Sequence, residues 1–198
     1  SVHNITKFVK KRFAGPLLKK EISAINLVIQ NKKEPVTCII GGSKISTKIN
    51  VILSLLKKIN NLIIVGAMAN NFFKYNNFKV GKSLVEENAN KIIEDIYKKA
   101  ELNKCEILIP EDCVVGTNFD GKGKTKNIDE VKDNEIILDI GSNTIKSIKK
   151  KIYESNTVLW NGPAGYFENE NFLKGSLSIA ENISKNTMEN SLLSVLGG

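Results

Sequence analysis

The stretch "CIIGGSKISTKINVI", residues 38–52, decides the fold. It begins as a short apolar run, passes through two glycines and continues at once with apolar residues at helical spacing. A buried strand that leads through glycines into a helix is typical of a parallel α/β sheet. The stretch also places Lys44 and Lys48 in the opening turns of the predicted helix. A helix start is electropositive and favours acids, so two lysines there raise the question of an anionic partner.

Composition limits the classes of protein without choosing one. The chain has 198 residues, 41% of them hydrophobic and 25% charged, which suits one generous globular domain. A net charge of +8 suggests an anionic ligand, nucleic acid or an acidic surface. Cys38, Cys105 and Cys113 show no paired spacing, which indicates buried, reduced thiols. No apolar segment reaches the length of a membrane span or forms a secretory signal, so we expect a soluble, cytoplasmic monomer.

Strand-like and helix-like segments alternate along the chain. Apolar runs predict six strands, at residues 36–40, 62–65, 106–109, 135–140, 157–160 and 192–196. Helical spacing predicts helices at residues 17–30, 45–59, 85–102, 143–154 and 169–185. The polar segment 118–127 is predicted to be a surface loop between strands. The predicted fold is therefore a doubly wound, mainly parallel six-stranded sheet with helices on both faces, a Rossmann-like α/β arrangement.

Sheets of this kind bind ligands at the carboxyl ends of their strands. That rule selects residues 41–48, 66–68, 141–144 and 161–168 and the last two glycines. Glycines allow a ligand close to the backbone, and two lysines one helical turn apart face the same side, which together would form an anion site. The alternative is that both lysines extend into water. The segment matches neither GxxxxGK[ST] nor GxGxxG.

A second candidate segment is "VLWNGPAGYFENENF", residues 158–172. A strand ends at Trp160 and Asn161, a Gly-Pro turn follows, and Glu168 precedes the next predicted helix. Asn161 offers amide hydrogen bonds, Pro163 a rigid apolar surface, and Glu168 a carboxylate that can accept from paired ribose hydroxyls. The alternative is purely structural, with Pro163 forming a turn, Trp160 in the core and Glu168 as an acid in the first turn of a helix.

The combination of six motifs resembles one known family. In chain order they are "AGPLLKKEI", "IIGGSKISTKINVI", "VGKSLVEE", "EIILDIG", "VLWNGPAGYFE" and "SVLGG". Their order and spacing resemble the C-terminal half of phosphoglycerate kinase, from residue 1 to residue 198. The resemblance implies phosphoryl transfer between 1,3-bisphosphoglycerate and ADP, giving 3-phosphoglycerate and ATP, with Mg²⁺ bound to the nucleotide.

The resemblance also implies roles for individual residues. Lys44 and Lys48 would be the catalytic cations facing the phosphates. The implied nucleotide-binding set is Gly41, Gly42, Lys44, Lys48, Gly66, Leu84, Leu138, Asn161, Gly162, Pro163, Glu168, Gly197 and Gly198. Within it, Glu168 would contact the ribose, and Leu84, Leu138 and Pro163 would border adenine. No metal ligand is implied within the chain, because the family's metal-holding aspartate would follow Gly198.

By the same resemblance, residues 1–15 would be the tail of a missing N-terminal domain, residues 16–30 an interdomain helix, and residues 31–198 a nucleotide-binding domain truncated at its C-terminus. Phosphoglycerate would bind only with the missing domain, so we expect the chain alone to be inactive. The family usually has three glycines after the second strand of this domain. This chain has Val65, Gly66 and Ala67 instead, and the added side chains would crowd the approach to the nucleoside.

Two rival functions remain open from sequence. The basic runs at residues 10–12 and 149–151 would suit a nucleic-acid-binding protein, although no stacking platform or nucleic-acid motif accompanies them. We therefore expect no nucleic-acid partner and no membrane partner. The other rival is a degenerate remnant that folds but binds no nucleotide. Binding of magnesium ADP separates it from a working domain.

Overall fold

A computed structural model describes residues 32–197. Its eight strands, in chain order, are β1 (Val36–Ile40), β2 (Asn61–Ile64), β3 (Glu106–Leu108), β4 (Asp112–Gly116), β5 (Lys124–Asn127), β6 (Ile136–Ile140), β7 (Thr157–Asn161) and β8 (Leu193–Gly197). Five of them form a parallel sheet in the order β3-β2-β1-β7-β8. The other three form an antiparallel sheet in the order β5-β4-β6. Because β1 is central and buried along its whole length, its sequence is uniformly apolar apart from Thr37.

Helices cover both faces of the parallel sheet. They are α1 (Ile49–Leu55), α2 (Ala69–Tyr75), α3 (Asn90–Leu102), α4 (Ser142–Tyr153) and α5 (Lys174–Glu189). Side chains of α1, α2 and α3 pack in one buried cluster together with Cys38 and Ile40 of β1. Side chains of α4 and α5 pack in a second cluster with Ile39. Successive residues of β1 thus enter opposite cores, which confirms the predicted doubly wound α/β fold.

The predicted count of six strands in one sheet is wrong. Residues 135–140 do form a strand, but β6 pairs with β4 in the antiparallel sheet. The sequence analysis missed β4, and it assigned β5 to a polar surface loop. β5 has the sequence Lys-Thr-Lys-Asn and is largely exposed, so no apolar alternation marks it as a strand. It is held by backbone pairing with β4, which a local pattern does not show.

Helix boundaries also differ from the predictions. α1 has only seven residues and begins at Ile49, so Lys48 is its N-cap residue and Lys44 lies in the preceding loop. The sequence predicts a helix from residue 45 on the basis of an apolar stripe. The first residue of that stripe, Ile45, is fully buried although it precedes the helix. α2 was not predicted. α3 and α5 begin at Asn90 and Lys174, each five residues later than predicted.

The predictions for residues 1–15 and 16–30, and for Gly198, lie outside the described residues. Among residues 32–197, no helix combines the length and the apolar character needed to span a bilayer.

Candidate functional site

Hydrogen bonds join the loops that follow the central parallel strands. They run from the Gly41 N–H to the Asn161 carbonyl at 2.8 Å, from the Gly42 N–H to the Pro163 carbonyl at 3.2 Å, and from the Gly66 N–H to the Ala164 carbonyl at 3.1 Å. A Cβ atom on Gly41 would lie 2.1 Å from the Pro163 oxygen, closer than any side chain tolerates. Gly66 has a φ of +69°, in the left-handed region that favours glycine. These two glycines are therefore required for the loops to meet.

Lys48 turns back over this glycine edge. Its Nζ donates to the Gly41 carbonyl at 2.8 Å and to Asn161 Oδ1 at 2.5 Å. The side chain is half-buried, and this burial lowers the pKa of the Lys48 ammonium from its usual value. An ammonium has three donors, so one remains for a further acceptor. The predicted pairing of Lys48 with an anion thus has a donor available at the carboxyl edge of the sheet.

Lys44 occupies a different environment. It lies in the loop before α1, its side chain is exposed, and it makes no hydrogen bond or ion pair through its ammonium within residues 32–197. The sequence predicts that the two lysines are neighbours on one helical face. In the structure they are not, because Lys44 precedes the helix. We refer to Gly41, Gly42, Lys44, Lys48 and Asn161 together as the lysine edge.

The end of β7 and the turn after it bring Asn161 and Gly162, both predicted site residues, to this edge. Asn161 is exposed and accepts from Lys48, as described above. The Trp160 indole N–H donates to the Gly162 carbonyl at 2.8 Å, which fixes the turn. The Gly162 N–H in turn donates to the Gly197 carbonyl at 3.2 Å, so the end of β8 closes the same edge.

A cavity of about 500 Å³ adjoins the lysine edge. Its walls come from the loops of the parallel sheet on one side and from β4, β6 and the segment after β4 on the other. We call it the inter-sheet cavity. The structure brings Leu84, Leu138, Pro163 and Glu168, for which the resemblance implies contacts with adenine or ribose, together in its lining, along with Gly42 and Gly66. Most of the lining is apolar, which suits a flat aromatic ligand part.

Sequence analysis missed several walls of the inter-sheet cavity. Phe119 and Tyr166 both line it, with ring centroids 5.1 Å apart in an edge-to-face arrangement. Ile137 lines it from β6. The sequence predicts no role for Tyr166, and it predicts that Phe119 lies in a surface loop. Only the packing of the antiparallel sheet against the loops makes these residues neighbours of the cavity.

The three residues after β2 divide in their placement. Val65 is fully buried in the core beneath α4 and α5 and does not line the cavity. Ala67 does line it. Of these two side chains, only that of Ala67 is therefore placed where it could crowd a nucleoside in the cavity.

Asp139 is a buried carboxylate in the cavity wall. It is 2% exposed, accepts from the Gly175 N–H at 2.7 Å and from the Ile140 N–H at 2.8 Å, and so ties β6 to the start of α5. Burial raises the pKa of Asp139 to about 6, against the opposing effect of these two hydrogen bonds. An aspartate inside the apolar run "IILDI" was the sequence signal for this group.

Residues 141–144, which sequence analysis had selected as a ligand loop, have another role. They follow β6, which belongs to the antiparallel sheet. The Asp112 carboxylate accepts from the backbone N–H groups of Asn143 and Thr144 at 2.9 and 2.8 Å, and thereby satisfies the first turn of α4. This loop is thus occupied by a protein carboxylate.

The described residues contain no group of three or more His, Cys, Asp or Glu side chains placed to hold a metal ion. The resemblance implies magnesium bound to the nucleotide phosphates, and the described residues offer no such cluster to hold it without them.

Comparison with known proteins identifies the family. The family model described as phosphoglycerate kinase matches residues 1–198. The chain is 39% identical over 199 residues to phosphoglycerate kinase of Wolbachia pipientis subsp. Culex pipiens (strain wPip), covering 100% of this chain and 50% of the relative. It is 39% identical over 188 residues to that of Xanthobacter flavus, covering 94% of this chain and 47% of the relative.

Solved structures agree with these matches. Phosphoglycerate kinase from Coxiella burnetii superposes with a TM-score of 0.85 at 36% identity, covering 93% of this chain and 47% of that chain. The enzyme from Pyrococcus horikoshii OT3 superposes with a TM-score of 0.72 at 24% identity, covering 93% and 47%, which supports the fold alone. The chain spans about half the length of the curated relatives it matches. It belongs to the phosphoglycerate kinase family.

Proposed function

We propose that the chain binds ADP or ATP as the magnesium complex and supplies the nucleotide side of the phosphoglycerate kinase reaction. In that reaction a phosphoryl group passes between 1,3-bisphosphoglycerate and ADP, giving 3-phosphoglycerate and ATP. The observation that carries the proposal is the continuity of the lysine edge with the inter-sheet cavity. Gly42 belongs to the lysine edge and also lines the cavity. Pro163, whose carbonyl accepts from the Gly42 N–H, lines the cavity as well. A molecule with an apolar ring at one end and phosphates at the other fits both regions at once.

In the proposed complex the phosphates lie on the lysine edge. Lys48 would offer its remaining donor, held in place by Gly41 and Asn161, and Lys44 would reach the outer phosphate from the loop. The glycines let the backbone approach the phosphate chain without steric conflict. Partial burial of the Lys48 ammonium reduces solvent screening, so its attraction for an anion is stronger than that of a surface lysine.

The adenine would occupy the inter-sheet cavity. Leu84, Leu138 and Pro163 provide apolar walls, and the exposed carboxylate of Glu168 would accept from the ribose hydroxyls. Gly162, Gly197 and Gly198 would complete the phosphate side of the site.

The chemistry asks little of the protein beyond placement and charge. Phosphoryl transfer develops negative charge on the migrating group, and cations fixed before the reaction stabilise that charge. The acceptor oxygens of 3-phosphoglycerate and ADP are ionised, so no general base is needed. When bound, magnesium supplies further charge neutralisation on the phosphates. Lys44 and Lys48 are therefore the residues to which we assign the catalytic electrostatics.

Calorimetric titration of the chain with magnesium ADP tests the proposal. Binding is the appropriate measurement because the chain spans about half of its relatives. We expect saturable binding to the wild-type chain and at least about a 100-fold weaker affinity after Lys44→Ala and Lys48→Ala together, since two charge-assisted contacts are lost.

The matched control is the double variant Lys57→Ala and Lys146→Ala. Both of these lysines are exposed, and neither belongs to the lysine edge or lines the inter-sheet cavity. Lys57 lies in the loop after α1, and Lys146 lies on α4. This variant removes the same net charge, so it should retain the wild-type affinity. If the wild-type chain binds no magnesium ADP, the degenerate-remnant interpretation replaces the proposal. If the two double variants weaken binding equally, general charge accounts for binding and the assigned site is wrong.

A further inference from the structure

A carboxylate holds the loop that carries both lysines. Ser46 lies between Lys44 and Lys48, and its backbone N–H donates to Glu86 Oε1 at 3.2 Å. Its hydroxyl donates to the other oxygen, Glu86 Oε2. Both oxygens of a half-buried carboxylate are thus used on one serine from a segment 40 residues away in the chain.

Glu86 is itself anchored to α2. Its N–H donates to Asn71 Oδ1 at 2.7 Å, and Asn71 Nδ2 donates to the Met68 carbonyl at 3.2 Å. The Met68 N–H then donates to the Gly42 carbonyl at 2.8 Å. These bonds form a chain that starts at Gly42 of the lysine edge and ends at Ser46, between Lys44 and Lys48.

The same segment forms part of the inter-sheet cavity. Two residues before Glu86, the Leu84 carbonyl accepts from Asn70 Nδ2 at 3.0 Å. Asn70 is fully buried, and its Oδ1 has no partner among the described residues, so Nδ2 is the amide group that fixes its position. Consecutive asparagines of α2 therefore hold both ends of residues 84–86. Leu84 lines the cavity, and Glu86 bonds Ser46 in the loop of residues 43–48, which we call the lysine loop.

The lysine loop needs such support. Ser43, Lys44, Ser46 and Thr47 are exposed, and the loop leads into α1, which has seven residues and no side-chain cap. A helix that short contributes little stability of its own. Lys48 has two bonds through its own ammonium, whereas Lys44 has none, so the direction of Lys44 depends on the backbone that Glu86 holds.

On the basis of the proposed nucleotide site, we propose that Glu86 is a positioning residue that sets the lysine loop for the phosphates and links it to the cavity wall at Leu84. A carboxylate near a phosphate site is repulsive through its charge alone. The two roles therefore predict opposite changes in nucleotide affinity. Removal of Glu86 weakens binding if Glu86 acts through Ser46, and strengthens binding if Glu86 acts only as a charge.

The test compares magnesium ADP affinities of Glu86→Ala, Glu86→Gln and the control Glu87→Ala by calorimetry. Glu87 is exposed and makes no side-chain hydrogen bond or ion pair within the described residues, so its removal changes the charge without removing a bond to the loop. We expect about a tenfold loss for Glu86→Ala, because two hydrogen bonds to a charged group disappear. Glutamine can still accept from the Ser46 N–H and donate to its hydroxyl, so Glu86→Gln should lie within about threefold of wild type.

A double-mutant cycle with Ser46→Ala supplies the second measurement. If Glu86 acts through Ser46, the double variant should lose less affinity than the sum of the two single losses. Thermal unfolding checks each variant, and if Glu86→Ala does not fold, Glu86→Gln and Ser46→Ala carry the comparison. Unchanged or tighter binding by Glu86→Ala, glutamine as weak as alanine, or full additivity would each overturn the inference. These outcomes presuppose that wild type binds, whereas absence of wild-type binding is a failure of the proposed function.

Discussion

The lysine edge and the inter-sheet cavity lie side by side but are built in different ways. The edge comes from two short stretches, residues 41–48 and 161–163, at the ends of neighbouring parallel strands. The cavity draws on both sheets, with Leu84, Phe119, Leu138 and Tyr166 coming from four separate segments. A charged site can therefore be encoded locally, whereas an apolar site depends on packing between distant parts of the chain.

The two regions also differ in what holds them. The edge depends on backbone contacts so close that Gly41 admits no side chain. The cavity depends on side-chain volume and on one buried carboxylate, Asp139. Substitutions at the edge should therefore act through steric conflict and loss of charge. Substitutions at the cavity should act through loss of apolar contact or through a change in the pH dependence of stability.

The largest effect is expected where the edge is forced open. Gly41→Ala would place its Cβ 2.1 Å from the Pro163 oxygen, so the loops after β1 and β7 must separate. We expect the free energy of unfolding to fall by about 4 kcal/mol, or folding to fail. Chemical denaturation of the purified chain measures this. Gly197→Ala is the control, because its Cβ would meet only Asn161 Nδ2 at 3.4 Å, and a comparable loss there would contradict the steric argument.

The next effect concerns the carboxylate of the cavity wall. The pKa of Asp139 is raised from 3.8 to about 6, so the folded protein holds this proton more tightly than the unfolded chain. The resulting stabilisation is complete below the unfolded pKa of 3.8 and is lost as pH rises through about 6. Between pH 4 and pH 7 the unfolding free energy of wild type should therefore fall by about 2 kcal/mol relative to Asp139→Asn.

Urea denaturation of both chains across this pH range provides the measurement. Asp120→Asn is the matched control, because Asp120 is exposed and its carboxylate makes no hydrogen bond or ion pair within residues 32–197. A difference between wild type and Asp139→Asn that stays constant with pH would show that Asp139 does not titrate in this range.

The smallest effect is expected for Leu84→Ala, which should weaken contact with the nucleoside and leave contact with the phosphates unchanged. Leu84 lines the cavity and is still 52% exposed, so a bound nucleoside would cover it further. Leu84→Ala should weaken magnesium ADP binding about fivefold through lost apolar contact. Magnesium pyrophosphate, which lacks the nucleoside, should bind with unchanged affinity. Equal losses for the two ligands in parallel titrations would mean that Leu84 acts on the lysine edge and not on the cavity.

The sequence anticipated the parallel sheet well because its strands are mostly apolar, and β1 and β2 at its centre are buried along their whole length. β1, β2, β7 and β8 are apolar runs of strand length, and each was predicted within one residue at either end. β5 shows the opposite case, since four polar residues become a strand only through pairing with β4. The candidate site divides in the same way: Gly41, Lys48 and Asn161 were proposed from sequence, while Phe119 and the Glu86–Ser46 contact appear only in the structure.

The doubly wound class, the glycine loops and the choice of Lys44 and Lys48 as candidate cations follow from the sequence alone, because apolar periodicity and glycine content are properties of neighbouring residues. Only the tertiary structure decided that Lys48 folds back onto Asn161 while Lys44 stays exposed, and that an antiparallel sheet closes the inter-sheet cavity. The physical reason is that side-chain direction and strand pairing depend on contacts between segments far apart in the chain, and no local pattern records those contacts.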